Sequence, residues 1–144
     1  MELKNLKDIK NSELKHFSLN GLKTEGKVVH VYDGDTCSII FEYKNEIVKF
    51  RCRLNGINTP ELNSSNKDEH EKAIICRNKL ITLVTNVDTT LLTKNMSKKD
   101  IKNLLDTNTK LINIECFKFD KYGRLLVNLE DDNSKELLNE KIMD

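Results

Sequence analysis

Residues 28–61 read VVHVYDGDTCSIIFEYKNEIVKFRCRLNGINTPE, and this stretch decides the fold. β-Branched residues lead into the turn signal Asp33-Gly34 and an apolar run follows it, which is the pattern of a β-hairpin. A polar turn at 43–46 then separates the hairpin from a third apolar run. A meander of three short strands is typical of a small barrel or sandwich and not of a βαβ fold. The predicted strands are 26–32, 36–41 and 47–54.

The spacing of apolar residues and the positions of capping residues predict the elements outside the meander. Ser97 and Asp100 have the spacing of a capping box ahead of an apolar helix face, and Ser134 is a candidate cap for a last helix. We predict one domain over 26–144, a peripheral arm over 1–25 and an insertion at about 88–110. The predicted further elements are helices near 3–9, over 71–86, after 97 and over about 134–142, and strands over 111–119 and 124–129.

Composition restricts the class of protein. The chain has 144 residues with 38% hydrophobic and 33% charged residues, which suits one domain with a modest core. The net charge of +1 is too small for a protein that binds nucleic acid by charge alone, so phosphate recognition must be local. No apolar window approaches the ~20 residues of a membrane span, and the N-terminus lacks the apolar core of a secretory signal. We therefore expect an intracellular, cytoplasmic location and no membrane partner.

The four cysteines are scattered along the chain without a C-x-x-C spacing. We expect free, mostly buried thiols in a reducing compartment and no disulfides. A zinc site built from them with His70 has no motif behind it. His30, in an apolar strand, is expected to be a structural or surface histidine.

Oxygen ligands for a hard cation occur at two turns. Asp33 and Asp35 follow the first strand, and Asn58, the Thr59 carbonyl and Glu61 lie in a loop that holds the only proline. Divalent cations such as calcium take six to eight such oxygens, including waters. The alternative is a simple hairpin turn with exposed aspartates, which are common at such positions.

Three arginines are candidates for phosphate binding. Arg51 and Arg53 share one face of the third strand, and Arg124 follows a Tyr-Gly turn. Guanidinium presents a planar fork of donors that suits two phosphate oxygens, and two such groups on one phosphorus would neutralise charge that builds up during hydrolysis. Glu61 is the candidate for aiming or deprotonating the attacking water, although a free glutamate with a pKa of about 4.3 is a weak base.

The sequence resembles the staphylococcal-nuclease-like (thermonuclease) family. The matching segments, in the family's order, are VYDGDT at 31–36, FRCRLNGINTPEL at 50–62 with the helix after it, and DKYGRLLV at 120–127. Arg53 stands five residues before Asn58 and Glu61 stands three after it, as the family pattern requires. The resemblance covers about residues 26–143.

The resemblance implies an α+β, mainly β fold: an OB-fold, five-stranded barrel with packed helices. It also implies a monomeric nuclease that uses one Ca²⁺ ion to cut DNA and RNA phosphodiesters, with single-stranded nucleic acid as its partner. The implied roles are calcium ligation by Asp35, Asn58 and the Thr59 carbonyl, phosphate binding by Arg53 and Arg124, action on water by Glu61, and binding of a neighbouring phosphate by Lys121 and Tyr122.

Three departures from the family pattern support a second hypothesis. Asn58 stands where the family usually has Asp, so the site loses a negative charge and calcium affinity is expected to fall. A third helix and the tyrosines that stack on the nucleotide have no counterpart, and the stretch 88–110 is longer than usual. The alternative function is a non-catalytic OB-fold module that binds nucleic acid or a protein partner. The aromatic content of 6% argues against a strong general binder of single strands.

Overall fold

Five strands and two helices form the body of the chain. The structure, a computed structural model, describes residues 5–88, 92–93, 95–108 and 110–143. Within these ranges no helix is both long enough and apolar enough to cross a bilayer. The elements are β1 (Lys23–Asp33), β2 (Thr36–Tyr43), β3 (Glu46–Leu54), α1 (Lys67–Leu83), α2 (Lys98–Asn108), β4 (Ile112–Phe119) and β5 (Leu125–Asp131).

The strands close into a barrel in the order β1-β2-β3-β5-β4. Neighbouring strands are antiparallel except β3 and β5, which run parallel. Closure comes from the first half of β1, where Lys23–Gly26 pairs with Ile112–Glu115 of β4. The prediction of a mainly β barrel with packed helices is therefore confirmed.

Side chains point alternately to the two faces of a strand, and the apolar side chains on one face of each strand are buried inside the barrel. Helix α1 adds Leu80 and Ile81 to the same core, and α2, within the predicted insertion, packs against β1 and adds Ile101 and Leu105. All four cysteines are buried and free. The strand residues of the core are Val28, Val31, Cys37, Ile39, Phe41, Cys52, Leu54, Ile112, Ile114, Cys116, Leu125, Val127 and Leu129.

Both helices begin at polar caps. In α2 the Asp100 amide donates to Ser97 Oγ, and the Ser97 amide donates to the Asp100 carboxylate, so the predicted capping box is confirmed. The predicted start of α1 at residue 71 is wrong, because Asn66 caps the helix by accepting from the Glu69 amide. Residues 67–70, which lie outside the predicted helix, thus form the first turn of α1.

The predicted helices at the two ends of the chain are wrong. The N-terminal segment contains only the 3-10 turns Leu6–Asp8 and Asn11–Glu13 in its described part, and Leu3 lies outside the described residues. Near the C-terminus there is one 3-10 turn, Asn139–Lys141, in place of a helix. The Asn139 side chain accepts from the Leu129 amide and donates to the Val127 and Asn55 carbonyls, which fixes this segment against the barrel.

Strand direction brings several turns to one end of the barrel. β1 and β3 end there, and β2 and β5 begin there, as the pairs Asp33↔Thr36, Thr36↔Arg53 and Arg53↔Leu126 show. We call this the cleft end. A register shift between Val31 and Asp33 disrupts the β1–β2 ladder at this point, as bulges often do beside functional sites.

Candidate functional site

The β1–β2 turn holds two carboxylates in different environments. The Asp33 carboxylate accepts from the Asp35 amide at 3.1 Å, which is a local turn hydrogen bond. Asp35 is buried and accepts from the Thr36 hydroxyl at 3.0 Å and from the Thr59 amide at 3.0 Å. Asp35 therefore joins the hairpin tip to the loop that follows β3.

Arg53, near the end of β3, binds the same loop at several points. Its Nη1 lies 3.1 Å from Asp35 Oδ2, and its Nη2 donates to the Ile57 carbonyl at 3.1 Å and to Asn58 Oδ1 at 3.2 Å. The side chains of Arg53 and Asp35 are 21% and 8% exposed, so this ion pair is largely shielded from solvent. The loop is thus held by a guanidinium on one side and by a carboxylate on the other.

Gly34 allows the hairpin tip to approach this loop closely. A Cβ atom at Gly34 would lie 2.6 Å from the Cβ of Cys76 in α1 and 3.0 Å from the Thr59 side chain. Nonbonded carbon atoms normally sit about 3.5–4.0 Å apart, so a side chain does not fit without movement. The Asp-Gly turn therefore sets the separation between the two groups of oxygen ligands, as well as reversing the chain.

Arg124 is positioned by the turn between β4 and β5. Asp120 accepts from the amides of Tyr122 and Arg124 at 2.9 Å and from Arg124 Nε at 2.8 Å. Gly123 in this turn has φ +83°, a conformation that glycine adopts readily. Arg124 Nη1 lies 3.5 Å from the Thr36 hydroxyl, a long contact that places the guanidinium beside the β1–β2 turn. The two Nη groups are the donors left for an anion.

These segments line one open cleft of about 300 Å³ at the cleft end of the barrel. Seven of the eight predicted site residues line it: Asp35, Arg53, Asn58, Thr59, Glu61, Tyr122 and Arg124. Lys121 is exposed beside the cleft, with its ammonium 5.2 Å from the centre of the Tyr122 ring. Arg51 does not line the cleft, and its guanidinium lies over the Tyr32 ring.

The two aspartates at the hairpin tip have opposite pKa shifts. Burial and the neighbouring Asp35 raise the pKa of Asp33 to about 6. Burial also opposes ionisation of Asp35, but hydrogen bonds from Asp33 and Thr59 and the charge of Arg53 hold its pKa below the usual range. Asp35 is therefore the member of the pair that ionises first as the pH rises, and an added positive charge would favour ionisation of Asp33.

The cleft offers the ligand chemistry of a hard cation. Its donors are the Asp33 and Asp35 carboxylates, the Asn58 amide oxygen and the Thr59 main chain, which are the groups that calcium takes. Two carboxylates held close enough to raise one pKa also fit a position beside a cation. Among the described residues there is no group of three His, Cys, Asp or Glu side chains arranged to hold a metal ion. Calcium here would thus depend on amide and main-chain oxygens and on water.

Two residues that organise the site were given no role from the sequence. Thr36 donates to Asp35 and contacts Arg124, so it links the carboxylate to the second arginine. Asp120 orients Arg124 through both of its oxygens. The i to i+4 spacing of Asp120 and Arg124 across a turn could have indicated their pairing, whereas the contact between Thr36 and Arg124 joins residues far apart in the chain and has no local signal.

Comparison with known proteins adds one relative. No family model matches the chain. The chain is 32% identical over 114 residues to an uncharacterised protein of Methanocaldococcus jannaschii. The match covers 79% of this chain and 52% of that protein, so the chain spans about half the length of the relative.

Proposed function

We propose that the protein is a calcium-dependent nuclease that hydrolyses phosphodiester bonds in DNA or RNA, on an OB-fold barrel of the staphylococcal-nuclease-like type. One observation carries the proposal: Arg53, in β3, and Arg124, in the turn before β5, line the same cleft as the Asp35 and Glu61 carboxylates. The closed order β1-β2-β3-β5-β4 supports the OB-fold part of it.

The roles of the arginines follow from the donors that they retain. Asp35, Ile57 and Asn58 occupy the two Nη groups of Arg53, which leaves the Nε edge for a phosphate oxygen. Asp120 occupies the Nε edge of Arg124, which leaves its Nη groups. Two preorganised guanidinium groups on one phosphate would stabilise the extra charge of the pentacoordinate transition state. Lys121 and Tyr122 would contact the adjoining phosphate.

Glu61 is the residue proposed to act on water. It lines the cleft and is exposed, so its carboxylate is accessible to a water molecule that approaches a bound phosphate. A carboxylate is a weak base, so it is most effective when it aims the water and accepts its proton late in the reaction. Asp35, Asn58 and the Thr59 carbonyl would hold the calcium ion. When bound, calcium supplies Lewis-acid polarisation of the phosphate and lowers the pKa of nearby water.

Charge balance supports a cation in the cleft. The ionisable groups that line it include three carboxylates, Asp33, Asp35 and Glu61, against the two arginines, so the lining carries a net charge of −1 with all groups ionised. A phosphodiester brings a further negative charge. A divalent cation makes the lining positive before substrate binds and brings the complex with one phosphodiester to neutrality.

The test is cleavage of a labelled single-stranded oligonucleotide with calcium or with a chelator. We expect calcium-dependent cleavage by the wild type and loss of about 100-fold or more in rate in Glu61→Gln. Glu42→Gln is the matched control, because Glu42 is exposed near the far end of β2 and pairs with Ile47. Absence of cleavage at millimolar calcium, or cleavage that the chelator does not affect, would refute the proposal.

Asn58 favours the alternative of a non-catalytic module that binds nucleic acid or a protein partner. Its oxygen accepts from Arg53 and carries no negative charge, so it is a weaker calcium ligand than a carboxylate. The variant Asn58→Asp distinguishes the two functions. A nuclease limited by metal affinity should need less calcium for half-maximal cleavage in this variant, whereas a binding module should remain inactive.

A further inference from the structure

A basic surface lies beside the cleft on the outside of the barrel. The Arg51 guanidinium lies over the Tyr32 ring, with 4.3 Å between its central carbon and the ring centre, a cation–π contact. The Tyr32 hydroxyl is in turn hydrogen-bonded to Ser38 at 3.0 Å. Arg51 is exposed, so the outer side of this stack is open to a ligand. We call Arg51, Tyr32, Lys98 and Lys102 the Arg51 surface.

The Arg51 surface is continuous with the cleft. Arg51 and Arg53 are two residues apart in β3, so their side chains leave the same face of the sheet, with their Cα atoms about 7 Å apart. Across the ladder, Arg51 is opposite Ser38 and Arg53 is opposite Thr36. A chain that places one phosphate against Arg53 therefore reaches Arg51 within a short distance along the strand.

Helix α2 adds the other two cations of the Arg51 surface. Lys98 and Lys102 are four residues apart on α2, which packs against β1, and both are exposed. Burial lowers the pKa of His30 to about 4, and the charges of Lys102, Lys98 and Arg51 add to the effect, so all three cations lie near this one residue of β1. Within the described part of the chain none of the three forms an ion pair with a carboxylate.

We propose that the Arg51 surface binds the nucleotides that flank the scissile phosphate in a single-stranded polynucleotide. This inference rests on the proposed nuclease function and names its substrate as a chain that extends from Arg53 across Arg51 towards α2. Three cations without acidic partners match successive phosphates. The flat guanidinium held on Tyr32 is a stacking platform for a base, and only an unpaired strand exposes base faces to such a platform.

The test compares two triple variants that remove the same charge. The first is Arg51→Gln/Lys98→Gln/Lys102→Gln. The matched control takes three exposed lysines at the opposite end of the barrel, from the start of β1, the β2–β3 turn and the turn after β5. The control variant is Lys23→Gln/Lys44→Gln/Lys135→Gln.

Binding of a fluorescent oligonucleotide of about 15 nucleotides is measured by anisotropy in chelator, so that cleavage does not interfere. We expect the first variant to bind at least tenfold more weakly at about 50 mM salt, with the slope of log Kd against log salt reduced by about 2. The control should bind like the wild type. Equal weakening in both variants, no weakening in either, or equally tight binding of a polyglutamate peptide of the same charge would overturn the inference.

Cleavage of a dinucleotide separates this inference from the proposed function. A dinucleotide is too short to extend from the cleft to α2, so the double variant Lys98→Gln/Lys102→Gln, which keeps Arg51, should cleave it at the wild-type rate. If the wild type cleaves neither substrate, the nuclease proposal fails, while the binding comparison still tests whether the Arg51 surface binds a single strand. If the double variant loses dinucleotide cleavage as well, the two lysines act within the cleft itself and the flanking role is wrong.

Discussion

Replacing Gly34 by alanine tests whether close packing at the hairpin tip sets the geometry of the cleft. The new Cβ would lie 2.6 Å from the Cβ of Cys76 and 3.0 Å from Thr59. The first distance is about 1 Å shorter than an ordinary carbon contact. The φ of Gly34 is outside the left-handed region, so alanine suits the backbone and the overlap alone opposes it.

The expected loss of stability follows from that overlap. Overpacking of this kind costs about 1–3 kcal/mol, while replacing glycine in a compatible conformation gains about 0.4–1 kcal/mol through the unfolded state. We therefore expect Gly34→Ala to lower the free energy of unfolding by about 1–2 kcal/mol. The loop carrying Thr59, Asn58 and Glu61 should also move, so the calcium needed for half-maximal cleavage should rise.

A double-mutant cycle with Cys76→Gly isolates the contact. That variant has its own cost, about 1 kcal/mol for glycine in a helix plus the lost packing, but it removes the closer of the two contacts, the Cys76 Cβ at 2.6 Å, and leaves the milder one to Thr59. In its background Gly34→Ala should be nearly neutral, which gives a coupling energy of about 1–2 kcal/mol from urea denaturation. Additivity of the two changes within about 0.5 kcal/mol would refute the packing argument.

Three further substitutions test the charges around the cleft. Burial and Asp35 raise the pKa of Asp33 to about 6, so the wild type loses stability as the pH rises from about 4 through 6. The Asp33→Asn variant cannot ionise at this position and so should not lose stability over this pH range. Its urea midpoint should be higher than that of the wild type above pH 6 and equal to it near pH 4. Arg53→Lys loses the fork that joins Asp35 to the loop, so urea denaturation should show a loss of about 1–2 kcal/mol and initial rates a fall of about 100-fold. Asp120→Asn releases Arg124 Nε, and cleavage should slow about tenfold, the equivalent of 1.4 kcal/mol of positioning; an unchanged rate would exclude an orienting role.

The sequence was informative wherever the determinant was local. Asp33-Gly34 and the alternating apolar residues predicted the meander, and Ser97 with Asp100 predicted the start of α2, because turns and caps depend on residues within four positions of each other. Barrel closure between Lys23–Gly26 and β4 had no such signal. That pairing joins segments about ninety residues apart, and nothing in either segment specifies its partner.

The error at the C-terminal end of the barrel domain has a physical cause. Spacing of Leu137, Leu138 and Ile142 suits a helix, yet Leu137 instead pairs with Glu130 and continues the sheet edge. The Asn139 side chain then forms hydrogen bonds with main-chain groups of β5. Such a long-range contact leaves no trace in the spacing of apolar residues. A short repeat of apolar residues predicts a helix only weakly when the edge of a sheet can form hydrogen bonds with the same main chain.

Under the proposed function, Asn58 should change the balance between metal binding and phosphate binding in the cleft. An aspartate at this position would add a charged ligand for calcium, and it would also form a second ion pair with Arg53, which already faces Asp35 at 3.1 Å. With the neutral amide, Arg53 is shared between one carboxylate and two uncharged oxygens, so more of its charge remains to attract a phosphate. The same substitution thus weakens cation binding and strengthens anion binding. Both guanidinium groups are already paired with an aspartate, and the lining carries a net charge of −1 before a metal is bound. A bound cation removes this repulsion of a phosphate, so substrate and calcium should bind with positive cooperativity.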